Sequence, residues 1–451
     1  MLSRLCCLLF AIISILVVSN KRLYNRPVFE SDKAGYYIYL PAIFIYDDIA
    51  KLDFYNSISQ KYDLAGEGNY KLAELQNGNR ITKYPIGTAI FNLPFFLITH
   101  IFCTVTDLYP ADGYSIPYRI ALIGSTIIWS LIGLFILRRI LRNNFNDRVT
   151  AIVLLSISFG TNLYYYVAFE PGMSHPYSFF LFALILYLAD QWSNSATAGN
   201  AWLLGLSLGL CTVVRPVNII IILIPLLWKI GTYHAFKERL TLFTKRPVFF
   251  PLVIFFVMPI LLQMLYWKNS TGHFVYYSYG YENFDWGYPK VWKGLFSYRK
   301  GWFVYTPIAF VAFIGIFFCQ RRIVFNLLLF FVAAFYVFFS WENWYYGGSY
   351  GCRPLIETLP LLAIPLGCLT VYVSIHTTKI IRTVYFVLIA LLIALNAFQS
   401  YQYAGNVIHW DRMTKKYYWR VFLKLHGNEQ DRKLLLPDEE YYSEIESWQK
   451  K

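Results

Sequence analysis

The sequence predicts an all-α, polytopic membrane protein, and its composition and the spacing of its apolar residues lead to this prediction. Of the 451 residues, 57% are hydrophobic and 20% aromatic, whereas only 15% are charged, and the mean hydropathy is +0.43. A soluble domain of ordinary composition is less apolar and more charged than this. The apolar residues form runs of about 17–25 residues, the length that a helix needs to cross a bilayer.

The net charge and the cysteines exclude other classes of protein. A formal charge of +14 alone would be compatible with nucleic-acid binding. Most Lys and Arg residues, however, lie in short loops between apolar runs, as on the cytoplasmic face of a membrane protein. We therefore expect membrane lipids, and no nucleic acid, as partners. The seven cysteines lack the spacing of metal ligands or of a disulfide framework, so core packing is their expected role.

The first apolar run and the loop after it open the predicted architecture. Residues 5–18 are apolar and flanked by basic residues, which favours a membrane anchor, with a signal peptide as the alternative. Residues 20–84 mix charges of both signs with Gly and Asn clusters that are typical of turns. We expect them to form a folded external loop, within a larger external region over residues 20–116 that carries the catalytic region around Asp32.

Further apolar runs supply the remaining spans. The eight that suit a single crossing are residues 118–137, 149–169, 175–191, 247–267, 304–319, 323–340, 355–373 and 383–399. Residues 201–230 are too many for one span and are interrupted by Arg215-Pro216, which predicts a hairpin of two short helices that meet at Arg215. Together with the first run, this gives about eleven transmembrane helices with a large first external loop containing juxtamembrane helices.

The basic loops predict the orientation. If residues 86–105 form a juxtamembrane or re-entrant helix on the outer face, every strongly basic short loop falls on one side of the membrane. The N-terminus is then inside and the C-terminus outside. This predicts a transmembrane domain over residues 1–400 and an extracytoplasmic tail over residues 401–451. The expected location is a bacterial inner membrane, with the active site on the periplasmic side.

The predicted outer face gathers carboxylates and cations, a combination suited to a phosphate-bearing lipid and a hydroxyl-bearing partner. A carboxylate can take the proton of a sugar hydroxyl, and Lys or Arg at a poorly hydrated surface can stabilise a leaving phosphate. The candidate catalytic residues are Asp32 and Glu170. The candidate substrate-binding or phosphate-binding residues are Lys83, Arg215, Arg299, Arg353, Tyr36 and His175.

Most of these assignments have a simpler alternative. Asp32 could cap the helix predicted to follow it, and Lys83 could extend its charge to the membrane surface beside an apolar helix. Glu170 could be a solvated turn residue, and His175 could be a helix cap or a packing residue. Arg215 is the strongest of the cations, because an ionisable group within an apolar hairpin is costly and usually functional.

Six short motifs follow one another along the chain. They are Asp32 in the predicted first external loop, Lys83-Tyr84-Pro85-Ile86-Gly87, Glu170 in the predicted second external turn, Gly205…Gly209-Leu210…Arg215-Pro216, Gly301-Trp302-Phe303-Val304-Tyr305-Thr306-Pro307 and Trp344…Gly347-Gly348-Ser349…Gly351…Arg353. These motifs resemble those of the glycosyltransferase C superfamily, which includes protein O-mannosyltransferases and bacterial aminoarabinose transferases. The resemblance covers most of the chain up to about Gln399, and the order of the motifs along a matching topology is its main support.

The resemblance implies transfer of a sugar from a polyprenyl-phosphate donor to a lipid, glycan or protein acceptor at the outer face, usually with inversion. It implies that Asp32 acts as the catalytic base or orients the acceptor, and that Lys83 contacts the carrier phosphate. This chain departs from the members of that superfamily in having Tyr84 between the lysine and the proline, and in lacking an Asp-Glu pair next to Asp32. The resemblance is compatible with a divalent metal but does not specify one.

A transporter or flippase of lipid-linked sugars is the alternative function. It would share the spans and a cationic lipid site, but its critical ionisable residues should lie near the midplane between repeated halves. The sequence has no clear inverted repeat, and its charged candidates gather at one face. These features favour an enzyme.

Overall fold

The computed structural model of the protein describes residues 1–20, 28–64, 70–194 and 198–449. This part of the chain is mostly helical. Its only strands are Ala73–Glu74 and Arg80–Ile81, which pair antiparallel with Ala73 opposite Ile81. The prediction of an all-α membrane protein is confirmed at this level.

We number the α-helices of the described residues in chain order. They are α1 Leu2–Val18, α2 Ser31–Tyr37, α3 Tyr39–Phe44, α4 Phe54–Lys61, α5 Gly87–Thr106, α6 Ile116–Arg142, α7 Asp147–Phe159, α8 Leu163–Ala168, α9 Ser174–Asn194, α10 Ala198–Val214, α11 Leu223–Leu227, α12 Tyr233–Thr244, α13 Arg246–Thr271, α14 Val291–Phe296, α15 Trp302–Tyr305, α16 Pro307–Gly315, α17 Arg321–Phe339, α18 Leu359–His376, α19 Lys379–Ala404, α20 Lys415–Val421, α21 Glu429–Arg432 and α22 Asp438–Gln449. Three 3-10 helices cover Pro216–Ile222, Ile316–Phe318 and Arg353–Leu355.

Six helices within the described ranges are long and apolar enough to cross a membrane: α5, α6, α13, α17, α18 and α19. The predicted number of eleven is wrong, because several apolar runs form short or broken helices. The run 149–169 is divided between α7 and α8 at Gly160, where the chain leaves the helix for three residues. The run 304–319 contains the end of α15, the nine-residue α16 and a 3-10 turn.

Helix α5 covers the run on whose placement the predicted orientation depends. Residues 86–105 were expected to form a juxtamembrane or re-entrant helix, and α5 is a continuous helix of 20 residues, long and apolar enough to cross a membrane by length and composition. Its juxtamembrane placement stays a prediction. It runs antiparallel to the first half of α6. The Phe91 carbonyl accepts hydrogen bonds from Ser125 and Trp129, whereas His100 Nδ1 lies 2.6 Å from the Tyr118 hydroxyl oxygen. Pro94 is accommodated within the helix.

The predicted hairpin at Arg215 is present. Helix α10 ends at Val214, and Arg215 has an extended backbone before Pro216 begins a 3-10 helix. The returning segment runs in the same direction as α9. Asn218 donates a hydrogen bond to Ser178 near the start of α9, and Trp228 Nε1 donates one to Asp190 near its end, both at 3.0 Å. The turn therefore places Arg215 at the same end of the bundle as the beginning of α9.

Two glycines allow α10 to lie directly against α13. A Cβ atom on Gly205 would lie 2.1 Å from the carbonyl oxygen of Leu252, and one on Gly209 would lie 2.3 Å from that of Phe256. The matching step of four residues on both helices shows that they are parallel. Spacing of small residues by four is a recurrent solution for close helix contact in membranes. This part of the hairpin motif therefore has a packing role.

The core is divided among three clusters. The largest contains the inner faces of α7–α9 and α16–α18, and a second connects the described residues between α1 and α5 to α5 and α6. The third consists of Ala34, Tyr36, Tyr70 and Tyr84. The predicted tail packs on the body, since α19 continues to Ala404 and α20 contributes Tyr417 and Val421 to the largest cluster.

We predict that Gly205→Ala and Gly209→Ala each destabilise the protein, by about 1–3 kcal/mol, because the added methyl group forces α10 and α13 apart. The measurement is thermal unfolding of the purified protein in detergent. Gly124→Ala in α6 is the matched control, since a Cβ there has no atom within 4 Å. Alanine at that position should even favour the helix slightly. Equal unfolding temperatures for all the variants would contradict the close contact.

Candidate functional site

Asp32 lies in the first turn of α2, and its two carboxylate oxygens contact different segments. Oδ2 lies 2.9 Å from Nη2 of Arg353, and Oδ1 accepts a short hydrogen bond from the hydroxyl of Tyr84. The residue before the helix is Glu30, and no side chain forms a capping hydrogen bond there. The carboxylate of Asp32 therefore connects α2 to the turn before α18. It is 22% exposed, so a ligand can reach it.

The surroundings of Asp32 favour its charged form. Burial acts to raise the pKa of Asp32, but the positive charges of Arg353 and Lys83 and the hydrogen bond from Tyr84 outweigh it, so the pKa is lowered. For Arg353, burial acts to lower the pKa, and the attraction of Asp32 reverses the effect. Both groups are therefore ionised at neutral pH, and Asp32 is available as a proton acceptor.

Tyrosine rings form one wall of the site. The ring centroids of Tyr36 and Tyr84 are 4.4 Å apart, and those of Tyr84 and Tyr279 are 6.3 Å apart. Tyr36 is buried, and its hydroxyl oxygen accepts a hydrogen bond of 3.1 Å from Ser174. Gly35 makes this packing possible, since a Cβ there would lie 2.5 Å from the ring of Tyr84. Glycine is therefore required behind the aromatic wall.

Lys83 lies beside Asp32 but pairs with a residue of another loop. Its Nζ atom is 3.0 Å from Oε1 of Glu282, and it lies 5.3 Å and 5.8 Å from the ring centroids of Tyr84 and Tyr279. Ser278 donates a hydrogen bond of 2.7 Å to the Lys83 carbonyl. The loop that follows α13 is thus attached to Lys83 at two points, and the side chain does not simply extend along a membrane helix.

Arg215 and His175 meet at a carboxylate that the sequence analysis did not select. Oε1 of Glu357 lies 3.1 Å from His175 Nδ1 and 3.3 Å from Arg215 Nε. Glu357 and His175 are completely buried, whereas the side chain of Arg215 is 14% exposed. Burial raises the pKa of Glu357 to about 8, with Arg215 and Arg353 acting in the opposite direction. Glu357 also follows closely on Arg353, so one short turn contacts both Asp32 and Arg215.

Glu170 lies in a neighbouring cleft and not in direct contact with Asp32. Its Oε1 is 4.0 Å from Nζ of Lys33, and both residues line a cleft of about 310 Å³ together with Glu30. The apolar part of the lining includes Val18 at the end of α1. Because Lys33 follows Asp32 directly in the chain, the cleft and the Asp32 cluster lie on either side of the same helical turn.

Arg299 belongs to a different cluster. Its Nε atom is 3.4 Å from Oδ1 of Asp411, and its guanidinium carbon lies 3.4 Å from the ring centroid of Tyr345. Lys300 donates short hydrogen bonds to the carbonyls of Ser349 and Trp410, and burial lowers its pKa to about 7. These contacts connect the C-terminal region to the glycine-rich turn before Arg353. The structure therefore does not bring Arg299 to Asp32.

The structure gathers most of the predicted site residues and adds two carboxylates. Asp32, Tyr36, Lys83 and Arg353 share one cluster, with Arg215 and His175 next to it. Glu357 could have been selected from the sequence, because it is a carboxylate inside the predicted span 355–373. Ionisable residues within membrane spans usually have a function. No sequence pattern distinguished Glu282 from the other residues of the aromatic loop that follows α13. Within the described ranges, no group of three or more His, Cys, Asp or Glu residues is placed to hold a metal ion.

We predict that Arg353→Gln destabilises the protein by about 3 kcal/mol, because it leaves the largely buried carboxylate of Asp32 without its cation. Adding Asp32→Asn should restore part of this loss, since the uncompensated charge is removed. The measurement is thermal unfolding of both single variants and of the double variant. Strictly additive effects would contradict the ion pair, because residues in direct contact are expected to be coupled.

No protein-family model matches the chain, and no curated protein is significantly similar to it. The resemblance to the glycosyltransferase C superfamily therefore depends on the short motifs and their order. Any function has to be inferred from the arrangement of the charged and aromatic residues at this end of the bundle.

Proposed function

We propose that the protein is an integral membrane glycosyltransferase that moves a sugar from a polyprenyl-phosphate carrier to a hydroxyl group of a lipid, glycan or protein acceptor. The observation that carries the proposal is the accessible carboxylate of Asp32, kept ionised by Arg353 and Lys83 at one end of a bundle of apolar helices. Such a site offers a base for the acceptor and cations for the donor phosphate, next to the membrane in which the donor's lipid chain resides.

Asp32 is the proposed base. Its carboxylate would accept the proton of the acceptor hydroxyl as the oxygen attacks the anomeric carbon of the donor sugar. Positioned general bases contribute about 10²–10⁴-fold to a rate. Arg353 would also tune the base. A donor phosphate that binds the Arg353 guanidinium competes with Asp32 for this cation. The carboxylate would then become more basic when the donor is in place.

The leaving group is the lipid phosphate. The bond between the anomeric carbon and the phosphate oxygen breaks as the bond to the acceptor oxygen forms, and the electron pair leaves with the polyprenyl phosphate. Negative charge therefore accumulates on the phosphate, where Lys or Arg in a poorly hydrated site is effective. Lys83, Arg215 and Arg353 are the proposed phosphate-binding residues, and Tyr36, Tyr84 and Tyr279 can contact the sugar ring by stacking.

The cleft beside Asp32 is the proposed entry for the acceptor. Its mixed lining of Glu30, Lys33, Glu170 and apolar side chains suits an amphiphilic molecule with hydroxyl groups. In this scheme Glu170 orients the acceptor and does not take the proton. Arg299 has no part in the reaction, because its contacts with Asp411 and Tyr345 serve packing of the C-terminal region.

We predict that Asp32→Asn lowers sugar transfer by at least about 10²-fold, because asparagine cannot accept the proton. The measurement is turnover by purified protein with a panel of polyprenyl-phosphate sugars, followed by release of polyprenyl phosphate. Asp53→Asn is the matched control. It removes a carboxylate that is 68% exposed in the same external region and should leave turnover unchanged.

Two results would count against the proposal. Unchanged turnover in Asp32→Asn would exclude Asp32 as the base. Tight binding of lipid-linked sugars by the wild type without any transfer would favour the alternative of a transporter or flippase. Membrane insertion of each variant is checked beside the wild type, so that loss of activity is not confused with loss of protein.

Sidedness gives an independent prediction. Asn144 lies near Asp147, which binds the N-terminal amine at 2.9 Å, whereas Asn77 donates a hydrogen bond of 3.0 Å to the Ser270 carbonyl at the site end. Both are exposed. We expect a membrane-impermeant maleimide to label Asn77→Cys from outside intact cells and Asn144→Cys only after the cells are opened. Labelling of both from one side would refute the orientation.

A further inference from the structure

Glu357 is a buried carboxylate that contacts other segments of the chain, and the sequence motifs do not include it. Its side chain has no exposed surface. It faces His175 at the start of α9, Arg215 at the turn of the hairpin and Asn218 just beyond that turn. Arg353, four residues earlier, is the remaining charged neighbour. An isolated carboxylate is costly to bury, so this one requires its partners.

The contacts fix Arg215 in two ways. Glu357 faces Nε of Arg215 directly at 3.3 Å. It also lies 3.1 Å from Nδ1 of His175, while Nε2 of that ring is 3.5 Å from Nη1 of Arg215. A ring nitrogen can accept an arginine N–H only when it carries no proton, and a carboxylate at Nδ1 favours the tautomer with its proton there. Glu357 therefore orients the guanidinium both directly and through His175.

The remaining nitrogen of Arg215 is available to a ligand. Within the described part of the chain, Nη2 makes no hydrogen bond, and Arg215 is the only member of this trio with exposed surface, at 14% against 0% for its partners. The electrostatic neighbours of Arg215 include Tyr36 and Tyr279, which belong to the aromatic wall beside Asp32. The accessible part of the guanidinium is thus at the proposed donor site.

We propose that Glu357 is a positioning residue that aims Arg215 at the phosphate of a polyprenyl-phosphate ligand. The proposal rests on the proposed role of Arg215 in donor binding. Arginine supplies N–H donors in a rigid planar fork, so its value for phosphate depends on orientation. Glu357 faces Nε of Arg215, and His175 accepts a hydrogen bond from Nη1. These two contacts hold the guanidinium in a single orientation, in which Nη2 faces the ligand.

The test is a double-mutant cycle with binding as the measured quantity. Binding of polyprenyl phosphate to the full-length protein in nanodiscs of zwitterionic lipid is measured above the raised pKa of Glu357, where its carboxylate is ionised. The proteins compared are the wild type, Glu357→Gln, Arg215→Gln and the double variant. Glu357→Gln should weaken binding by about tenfold, as for loss of a charge-assisted contact. In the Arg215→Gln background, Glu357→Gln should change the affinity less than about twofold, because the guanidinium that Glu357 orients is absent.

Four controls separate positioning from general stability. Unphosphorylated polyprenol should bind all four proteins alike, and inorganic phosphate shows whether the lipid chain is needed for the effect. Glu357→Asp keeps the charge and should recover part of the affinity, and it replaces Glu357→Gln if that variant does not fold. A thermal unfolding measurement on each variant identifies losses that come from misfolding.

The outcomes are distinct. A loss of affinity for the phosphate lipid that disappears in the Arg215→Gln background supports the positioning role. An equal loss in both backgrounds, a parallel loss for polyprenol, or no loss overturns it, as does a wild type that binds no polyprenyl phosphate. Binding that follows the expected pattern in a protein that transfers no sugar would uphold the role of Glu357 while refuting the proposed glycosyltransferase activity.

Discussion

The ion pair between Asp32 and Arg353 is the contact on which the rest of the site depends. It joins α2 to the turn before α18, two segments far apart in the chain, and Tyr84 contacts Asp32 from a third segment. Neither charge would be stable at this depth alone, because burial opposes the ionisation of both. Their mutual attraction therefore holds the loop against the helices and keeps a carboxylate ionised beside the membrane.

The cations of this region are each matched to a carboxylate. Arg353 faces Asp32, Lys83 faces Glu282, and Arg215 faces Glu357. The pairs involve five separate stretches of chain, so the electrostatics of the site and the arrangement of the helix ends determine each other. A site of this kind can present several positive groups to one anionic ligand without a net charge that would be unfavourable near lipid.

The sequence was sufficient to predict most residues that gather at the candidate site, for a simple physical reason. Lys83 and Arg353 precede apolar runs, and Arg215 interrupts one at the turn of a hairpin. A membrane sorts the ends of such runs to its two faces. Which charges pair could not be predicted, because pairing depends on packing across segments, as Glu357 and Arg299 show. The predicted number of spans was wrong for a local reason, because breaks at Gly160 and before Pro307 shorten the helices within apolar runs.

In the proposed reaction, Glu282 competes with the donor phosphate for Lys83. The Glu282 carboxylate lies 3.0 Å from the Lys83 ammonium, on a loop that leaves α13 at Gly272 and passes through Gly280, both with positive φ. A phosphate that takes this position on Lys83 displaces Glu282. The measured affinity is then the intrinsic affinity multiplied by the fraction of molecules in which the lysine is released. Dissociation would be hastened by the same carboxylate, which favours turnover over retention.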